Sequence, residues 1–133
     1  MYDTGSEVKT LRAISPQSDS GGSAVNGVVI DRSGFDSLVA TFITGATSGN
    51  PTGISVACKV QHGDASDGSD MADITGATAT ITAANSVAEI NVDCRGLKKY
   101  VRAVETTTLT GGTSPTILVA ATITLGQAVL KPV

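Results

Sequence analysis

The sequence predicts an all-β protein, an antiparallel β-sandwich of the jelly-roll kind, with an immunoglobulin-like sandwich as the alternative. Apolar and polar residues alternate with a period of two in residues 53–62, GISVACKVQH. This pattern is typical of a strand with one buried face, and a helix cannot use it. Thr, Val and Ile dominate the periodic segments, and β-branched side chains pack well on a pleated surface. Turn signals at close intervals separate roughly seven to nine short strands, which favours a sandwich.

The same pattern, followed along the chain, locates the strands. Residues 7–14 alternate weakly, and residues 15–23, SPQSDSGGS, form a loop by composition. Residues 24–31 are predicted as one strand in which Gly27 suggests a β-bulge. The other predicted strands are 35–43, 53–62, 71–74, 77–83, 86–92, 100–107 and 116–125.

Two pairs of long strands are joined by similar loops. Residues 35–43 lead into 53–62 through TGATSGNPT, and residues 100–107 lead into 116–125 through LTGGTSPT. We predict that each pair forms a hairpin. Gly and Pro meet the dihedral demands of turns in unrelated loops, so we attribute the similarity to convergent turn chemistry and not to duplication. Residues 93–99, DCRGLKK, are predicted to form a tight turn or a single helical turn.

Length and charge limit the possible classes of protein. A chain of 133 residues fits one domain, 1–133, with a flexible N-terminal arm at 1–6 and a C-terminal tail at 126–133. The net charge of −3 lacks the positive field that non-specific nucleic-acid binding requires. We therefore expect no nucleic-acid partner. No secretory signal and no apolar run near 18 residues is visible, so we also expect no membrane partner.

The cysteines predict neither a disulfide scaffold nor a metal site. Cys58 and Cys94 lie far apart and form no CxxC pair. Cys58 falls on the apolar face of its strand, where a free thiol behaves as a small hydrophobic side chain. We therefore expect Cys58 to be buried and reduced.

An acidic loop follows the strand at 53–62. Asp64, Asp67, Asp70 and Asp73 recur every third residue in GDASDGSDMAD, and clustered carboxylates suit hard cations such as Ca²⁺. The spacing differs from that of an EF-hand loop. We favour a solvated, turn-forming loop and keep a cation site as the alternative.

Arg95, Lys98, Lys99 and Arg102 concentrate positive charge around one turn and the start of one strand. We call these four residues the basic cluster. Charge complementarity steers docking and fixes register, so the basic cluster is a candidate contact for an acidic partner. The alternative is an ordinary solvated turn.

No catalytic, cofactor-binding or metal-binding residue is assigned. His62 is the only histidine, and the sequence contains no GxSxG, HExxH, GxxxxGK[ST] or GxGxxG motif. We therefore expect a protein that is not an enzyme. Glycan-binding platforms rely on aromatic faces, and only Tyr2, Phe35, Phe42 and Tyr100 are available, with Phe42 expected in the core.

Three segments carry a family resemblance: KVQHGDASDGSDMADITGA, VDCRGLKKYVRAV and LGQAVLKP. In their order and loop character they resemble the head decoration, or capsid cement, proteins of tailed bacteriophages. The resemblance covers most of the chain from Phe35 onward. Compared with those proteins, the acidic loop here has a longer stretch rich in Gly and Ser. Met71 stands where an aromatic residue is more usual.

The resemblance implies a structural virion protein on the outer surface of an HK97-like capsid, assembled in the host cytoplasm. It would bridge subunits of the major capsid protein and act as a homodimer or homotrimer without cofactors. Residues 1–7 and 126–133 are candidate contact arms, together with the basic cluster. One alternative is a head-tail connector or tail-tube component, and another is a glycan-binding or adhesion module.

Overall fold

A computed structural model describes residues 4–128 of the chain. These residues form a 3-10 turn, Thr4–Ser6, followed by β1 (Lys9–Asp19), β2 (Ala24–Asn26), β3 (Ile30–Asp31), β4 (Phe35–Ser48), β5 (Gly53–Gly63), β6 (Ala72–Ile81), β7 (Val87–Asp93), β8 (Tyr100–Thr110) and β9 (Thr116–Ala128). Within this part of the chain, no helix has the length and apolar character that a bilayer-spanning segment needs.

The strands form two antiparallel sheets that pack face to face. The four-stranded sheet has the order β1-β9-β4-β7, and the five-stranded sheet has the order β2-β8-β5-β6, with β3 also paired to β8. If β2 and β3 are counted as one interrupted strand, every connection except β5 to β6 passes from one sheet to the other. This is the interleaved double Greek key of a jelly roll. The predicted jelly-roll sandwich is confirmed. The order does not match the immunoglobulin alternative, which keeps its first two strands in one sheet.

The two predicted hairpins are wrong. β4 and β5 lie in opposite sheets, and so do β8 and β9, so each loop is an arch between sheets. The arches pack on each other: the Thr113 amide donates to the Gly49 carbonyl at 2.9 Å, and a Cβ atom on Gly112 would overlap that same carbonyl. Alternation shows which face of a strand is buried, but it does not show which strand lies beside it.

The core fills the space between the sheets with aliphatic side chains and few aromatic rings. Phe42 is 2% exposed, which confirms its predicted place in the core. Other buried apolar side chains include Ile14, Leu38, Val56, Val60, Ile90, Val101, Ile117, Ile123 and Leu125. Cys58 is buried and free, as predicted, and Cys94 is buried and free as well.

Several predicted boundaries are corrected. β1 continues to Asp19, so residues 15–19 are strand and not loop. Pro16 is tolerated because β1 is an edge strand and the register shifts between Ile14 and Gln17. Residues 71–74 and 77–83 were predicted as separate strands, but one strand, β6, covers most of both. Residues 126–128 belong to β9, so the predicted tail starts too early; residues 129–133 and 1–3 lie outside the described residues.

Gly27 interrupts the strand that was predicted over residues 24–31. Its amide donates to the Ala103 carbonyl at 2.7 Å, and the next amide, of Val28, donates to the Ala13 carbonyl at 2.9 Å. The chain therefore bridges β8 of one sheet and β1 of the other at this point. A Cβ atom on Gly27 would lie 2.5 Å from the Ala13 oxygen and 2.7 Å from the Ala103 oxygen. The role of Gly27 is therefore to let the chain pass close to the backbones of β1 and β8. The predicted β-bulge is wrong.

Burial makes both thiols unreactive. Removal from water, with the negative charge of Glu105, raises the pKa of Cys58 to about 12, and burial raises the pKa of Cys94 to about 11. Since the thiolate is the reactive form, we expect a disulfide reagent to label neither cysteine in the native protein at neutral pH. Both should react in denaturant. Absorbance from released thionitrobenzoate measures this, and rapid labelling of the native chain would contradict the described packing.

Candidate functional site

Three connections meet at one end of the sandwich, which we call the charged end. They are the β3–β4 turn, the β5–β6 loop with the aspartates, and the β7–β8 loop with most of the basic cluster. We call residues 94–99, between β7 and β8, the basic loop. Lys98 Nζ lies 3.5 Å from Asp64 Oδ2, so the acidic loop and the basic loop are neighbours. Sequence reasoning weighed these loops separately, and the jelly-roll connectivity brings them together.

Arg32 holds the loop that carries the basic cluster. Its Nε donates to the Lys98 carbonyl at 2.8 Å, and Nη2 donates to the Leu97 carbonyl. The Arg32 amide also donates to the Lys99 carbonyl at 3.0 Å. Three successive carbonyls of the loop are thus fixed by one residue. The sequence contained no signal for this role, because Arg32 and the loop are far apart along the chain.

His62, at the end of β5, also positions this loop. Its Nδ1 accepts a hydrogen bond from the Lys98 amide at 3.2 Å. The ring therefore contacts the backbone of the loop. This contact gives the only histidine of the chain a positioning role in the structure.

Arg95 is the most exposed member of the basic cluster. Its side chain is 75% exposed, and Nη2 lies 2.8 Å from Asp93 Oδ2. Hydrogen bonds from the Arg95 side chain and amide lower the pKa of Asp93 to about 2. The pair lies at the surface, where ion pairs contribute little to stability. The Arg95 guanidinium can therefore exchange its partner at low cost.

Lys98 and Lys99 are also accessible, with side chains that are 46% and 53% exposed. Lys98 pairs with Asp64 at 3.5 Å, and Lys99 pairs with Asp31 at 3.9 Å. Lys99 Nζ also lies 5.3 Å from the centre of the Tyr100 ring. These distances describe loose surface pairs, in which both cations keep contact with water.

Arg102 differs from the other three members. It is half-buried on β8, and its Nε donates to Gln61 Oε1 at 2.8 Å. Gln61 Nε2 in turn donates to Asp73 Oδ1 at 2.8 Å. Arg102 also lies beneath the acidic loop, 3.4 Å from the position of a Cβ atom on Gly68. The structure therefore places Arg102 as a support of that loop, beside the accessible cations.

Two of the four aspartates, Asp67 and Asp70, are hydrogen-bonded within the turns of the acidic loop. Asp70 accepts from the amides of Asp64 at 2.9 Å and Ala65 at 3.0 Å, and these bonds lower the pKa of Asp70. Asp67 accepts from the Ser69 amide at 3.0 Å, and hydrogen bonds from Ser69 lower the pKa of Asp67. These contacts fit the turn-forming interpretation. Within residues 4–128, no group of three or more His, Cys, Asp or Glu side chains could hold a metal ion.

An open depression of about 770 Å³ lies beside the charged end, on the four-stranded sheet. Arg95 and Asp93 border it, together with Asp36 and Glu7. Val39 and Thr124 contribute to its wall. It is a wide surface feature that extends the accessible area next to the basic loop.

A buried acidic pair is the polar feature that sequence reasoning missed. Glu105 is 1% exposed and Asp19 is 9% exposed, and both lie where β1 crosses towards β2. Thr107 Oγ1 donates to Glu105 Oε2 at 2.7 Å, and the Gly21 amide donates to Asp19 Oδ1 at 2.8 Å. A signal was present in YVRAVETTTL, because Glu105 occupies an inward position in phase with Val101.

The remaining oxygens of the pair, Asp19 Oδ2 and Glu105 Oε1, have no donor among the described residues when both groups are ionised. Burial, with the hydrogen bond and charge of Asp19, raises the pKa of Glu105 to about 8. Burial opposes ionisation of Asp19, but hydrogen bonds from Glu105 and from the Gly21 amide outweigh it and lower the pKa of Asp19. A protonated Glu105 therefore donates to an ionised Asp19, which satisfies both oxygens with one proton.

The sequence matches no protein-family model. A comparison with curated protein sequences likewise found no match. The solved structures that are similar to this fold include one prophage-derived protein and one viral chain. The SPBc2 prophage-derived protein YomS is 14% identical, with 89% of this chain and 93% of that chain covered, at a TM-score of 0.44. A chain in the structure of infectious bursal disease virus, Gx strain, is 11% identical, with 89% of this chain and 31% of that chain covered, at a TM-score of 0.50. At this identity the viral likeness concerns the fold alone.

Proposed function

We propose that this chain is a structural protein of a virion. The observation that carries the proposal is the complete jelly-roll strand order, a topology that recurs in viral shell proteins. The fold likeness to a chain of infectious bursal disease virus supports it, as does the resemblance of three sequence segments to phage head decoration proteins.

The finer role that we propose is decoration of an HK97-like phage capsid on its outer surface. The chain would contact neighbouring subunits of the major capsid protein, without catalysis and without a cofactor. Binding that exists only in the assembled shell stabilises that shell by mass action. The host cytoplasm is the proposed place of assembly, and the outer capsid surface the proposed location.

We assign the capsid contact to the charged end. Arg95, Lys98 and Lys99 are accessible, and their ion pairs are surface pairs that acidic groups of a partner can replace. Arg32 and His62 hold the backbone of this loop, which reduces the entropy lost on binding. The arms proposed at 1–7 and 126–133 add contacts in this account, and residues 126–128 would take part as the end of β9.

Mixing the purified protein with expanded capsids that lack it tests the proposal. We expect saturable binding in a co-sedimentation assay, at a fixed number of copies per capsid. Binding that never saturates, or no binding, would remove the decoration role. A head-tail connector or tail-tube component would instead assemble into rings, which a mass measurement of the free protein detects.

Charge reversal tests the contribution of the basic loop. We expect Lys98→Glu together with Lys99→Glu to weaken capsid binding roughly tenfold at low salt, and the loss should shrink as salt rises. Lys59→Glu is the control for Lys98→Glu, because Lys59 also pairs with an aspartate, Asp73 at 3.1 Å, but lies outside the basic loop. If Lys98→Glu and Lys59→Glu bind the capsid with equal affinity, the basic loop is not a capsid contact and is an ordinary solvated turn.

The glycan-binding alternative receives no support from the described residues. Phe35 and Phe42 are buried, and the half-buried Tyr100 ring lies next to the Lys99 ammonium group. No flat aromatic platform is formed by these side chains. A glycan array with the purified protein distinguishes this alternative, which requires specific retention of a sugar.

A further inference from the structure

The four-stranded sheet has one face in the core and one face towards solvent, which we call the outer face. Its side chains follow from the strand registers. Arg12 of β1 pairs with Thr122 of β9, Thr122 with Thr41 of β4, and Thr41 with Glu89 of β7. One row across the sheet therefore has a cation at one edge, an anion at the other, and two threonines between them.

The adjacent part of the outer face is apolar. Ile43, Val87 and Leu118 are 40%, 62% and 50% exposed, and they are three of the four large hydrophobic side chains that are exposed in residues 4–128. Ile43 pairs with Val87 on one side and with Ala120 on the other. A contiguous exposed apolar group of this kind marks an interaction surface.

The two charges of the row are not used within the described chain. Arg12 and Glu89 are exposed, and neither forms an ion pair with another residue in 4–128. They lie at opposite edges of the sheet, with β9 and β4 between their strands. They therefore cannot pair with each other inside one chain, but each can pair with the opposite charge of a molecule that covers this face.

We propose that the outer face binds the same face of a second copy of this chain, about a two-fold axis parallel to the strands. Rotation about that axis exchanges the two edges of the sheet and keeps each row in place. It sets Arg12 of each copy opposite Glu89 of the other. It also brings Ile43 and Leu118, on the two central strands, close to the same residues of the other copy, while Val87 on the β7 edge lies over β1 of the other copy. Face-to-face sheets that keep aligned strands are a common packing arrangement, and a two-fold interface is self-complementary in this way.

A two-fold axis across the strands does not give this match. Placed along the row of Arg12 and Glu89, that axis would set Arg12 against Arg12 and Glu89 against Glu89, and it would reverse the order of the other rows. Like charges in contact cost free energy, so the charge pattern selects the axis parallel to the strands. The occupant that fits both the charges and the apolar group is a second copy. This inference does not depend on the proposed virion role, because it concerns the free protein.

Sedimentation equilibrium of the purified chain tests the proposal. We expect a dimer, and we expect Arg12→Glu to raise its dissociation constant at least about tenfold, because two attractive pairs become two repulsive ones. Glu89→Arg should have the same effect by the reverse change. The double variant, Arg12→Glu with Glu89→Arg, restores both pairs in swapped order and should return the dissociation constant to within about threefold of the original.

Two further variants complete the design. Leu118→Asp places a charge at the centre of the proposed interface and should weaken the dimer, while Ala57→Glu places a charge on the solvent side of the five-stranded sheet and should leave it unchanged. Circular dichroism confirms that each variant keeps its strands. A monomer or a trimer in place of the dimer, single reversals without effect, or a double variant that is not restored would each overturn the proposal.

Discussion

Replacing Gly27 with alanine is expected to lower the free energy of unfolding by roughly 3 kcal/mol or more, a large part of the stability of a domain of this size. The added Cβ would lie 2.5 Å and 2.7 Å from the carbonyl oxygens of Ala13 and Ala103. Both obstacles are backbone atoms, and they belong to strands of opposite sheets. Neither can move without lengthening the hydrogen bonds that Gly27 and Val28 make there.

Urea denaturation measures this loss, with Gly53→Ala as the control. Gly53 also lacks a left-handed φ angle, and its added Cβ would meet only the Thr110 side chain, at 3.2 Å from Cβ. We expect the control to change stability by less than about 1 kcal/mol. Equal midpoints for the two variants would contradict the close approach of the sheets at Gly27.

The protein is expected to lose stability as the pH rises from about 5 to about 8, by on the order of 3 kcal/mol. In the unfolded chain Glu105 titrates near its ordinary pKa of 4.5, and in the folded chain its pKa is about 8. Between these values the folded state binds a proton that the unfolded state does not. The stabilisation is therefore complete below the unfolded pKa and is lost as the pH rises through the folded pKa.

Glu105→Gln isolates this contribution. The amide keeps a donor for Asp19 and an acceptor for Thr107, but it does not titrate. The unfolding free energy of the variant should therefore depend less on pH across the same window. Above about pH 8 the variant should be more stable than the original, which has to bury a second negative charge. Thermal or urea unfolding at several pH values measures both curves, and parallel curves would show that Glu105 does not carry the dependence.

The fold class could be predicted because burial leaves a direct record in the sequence. The alternation in β5 and β9 identifies strands with one buried face, and Phe42 of β4 was also correctly expected in the core. The pairing of strands leaves no such record, because a period of two is the same whichever strand lies alongside. For this reason the sequence predicts a hairpin of β4 and β5, although these strands belong to opposite sheets.

The charged end shows the same limit. Arg95, Lys98 and Lys99 could be recognised as a group because they are close in sequence. The aspartate partners of Lys98 and Lys99, and the clamp by Arg32, depend on contacts between distant segments, and these exist only once the jelly roll has formed. Glu105 is a different case: its inward phase on β8 was visible, but its partner, Asp19, lies in a segment that composition predicted as loop.

Imaging of the phage particle with and without this chain tests the proposed role most directly. Decoration predicts extra density at symmetry-related positions across the outer surface of the capsid, with the size of this sandwich, and its loss from particles that lack the chain. Density confined to the portal vertex or the tail, or capsid surfaces that are identical in the two preparations, would contradict it.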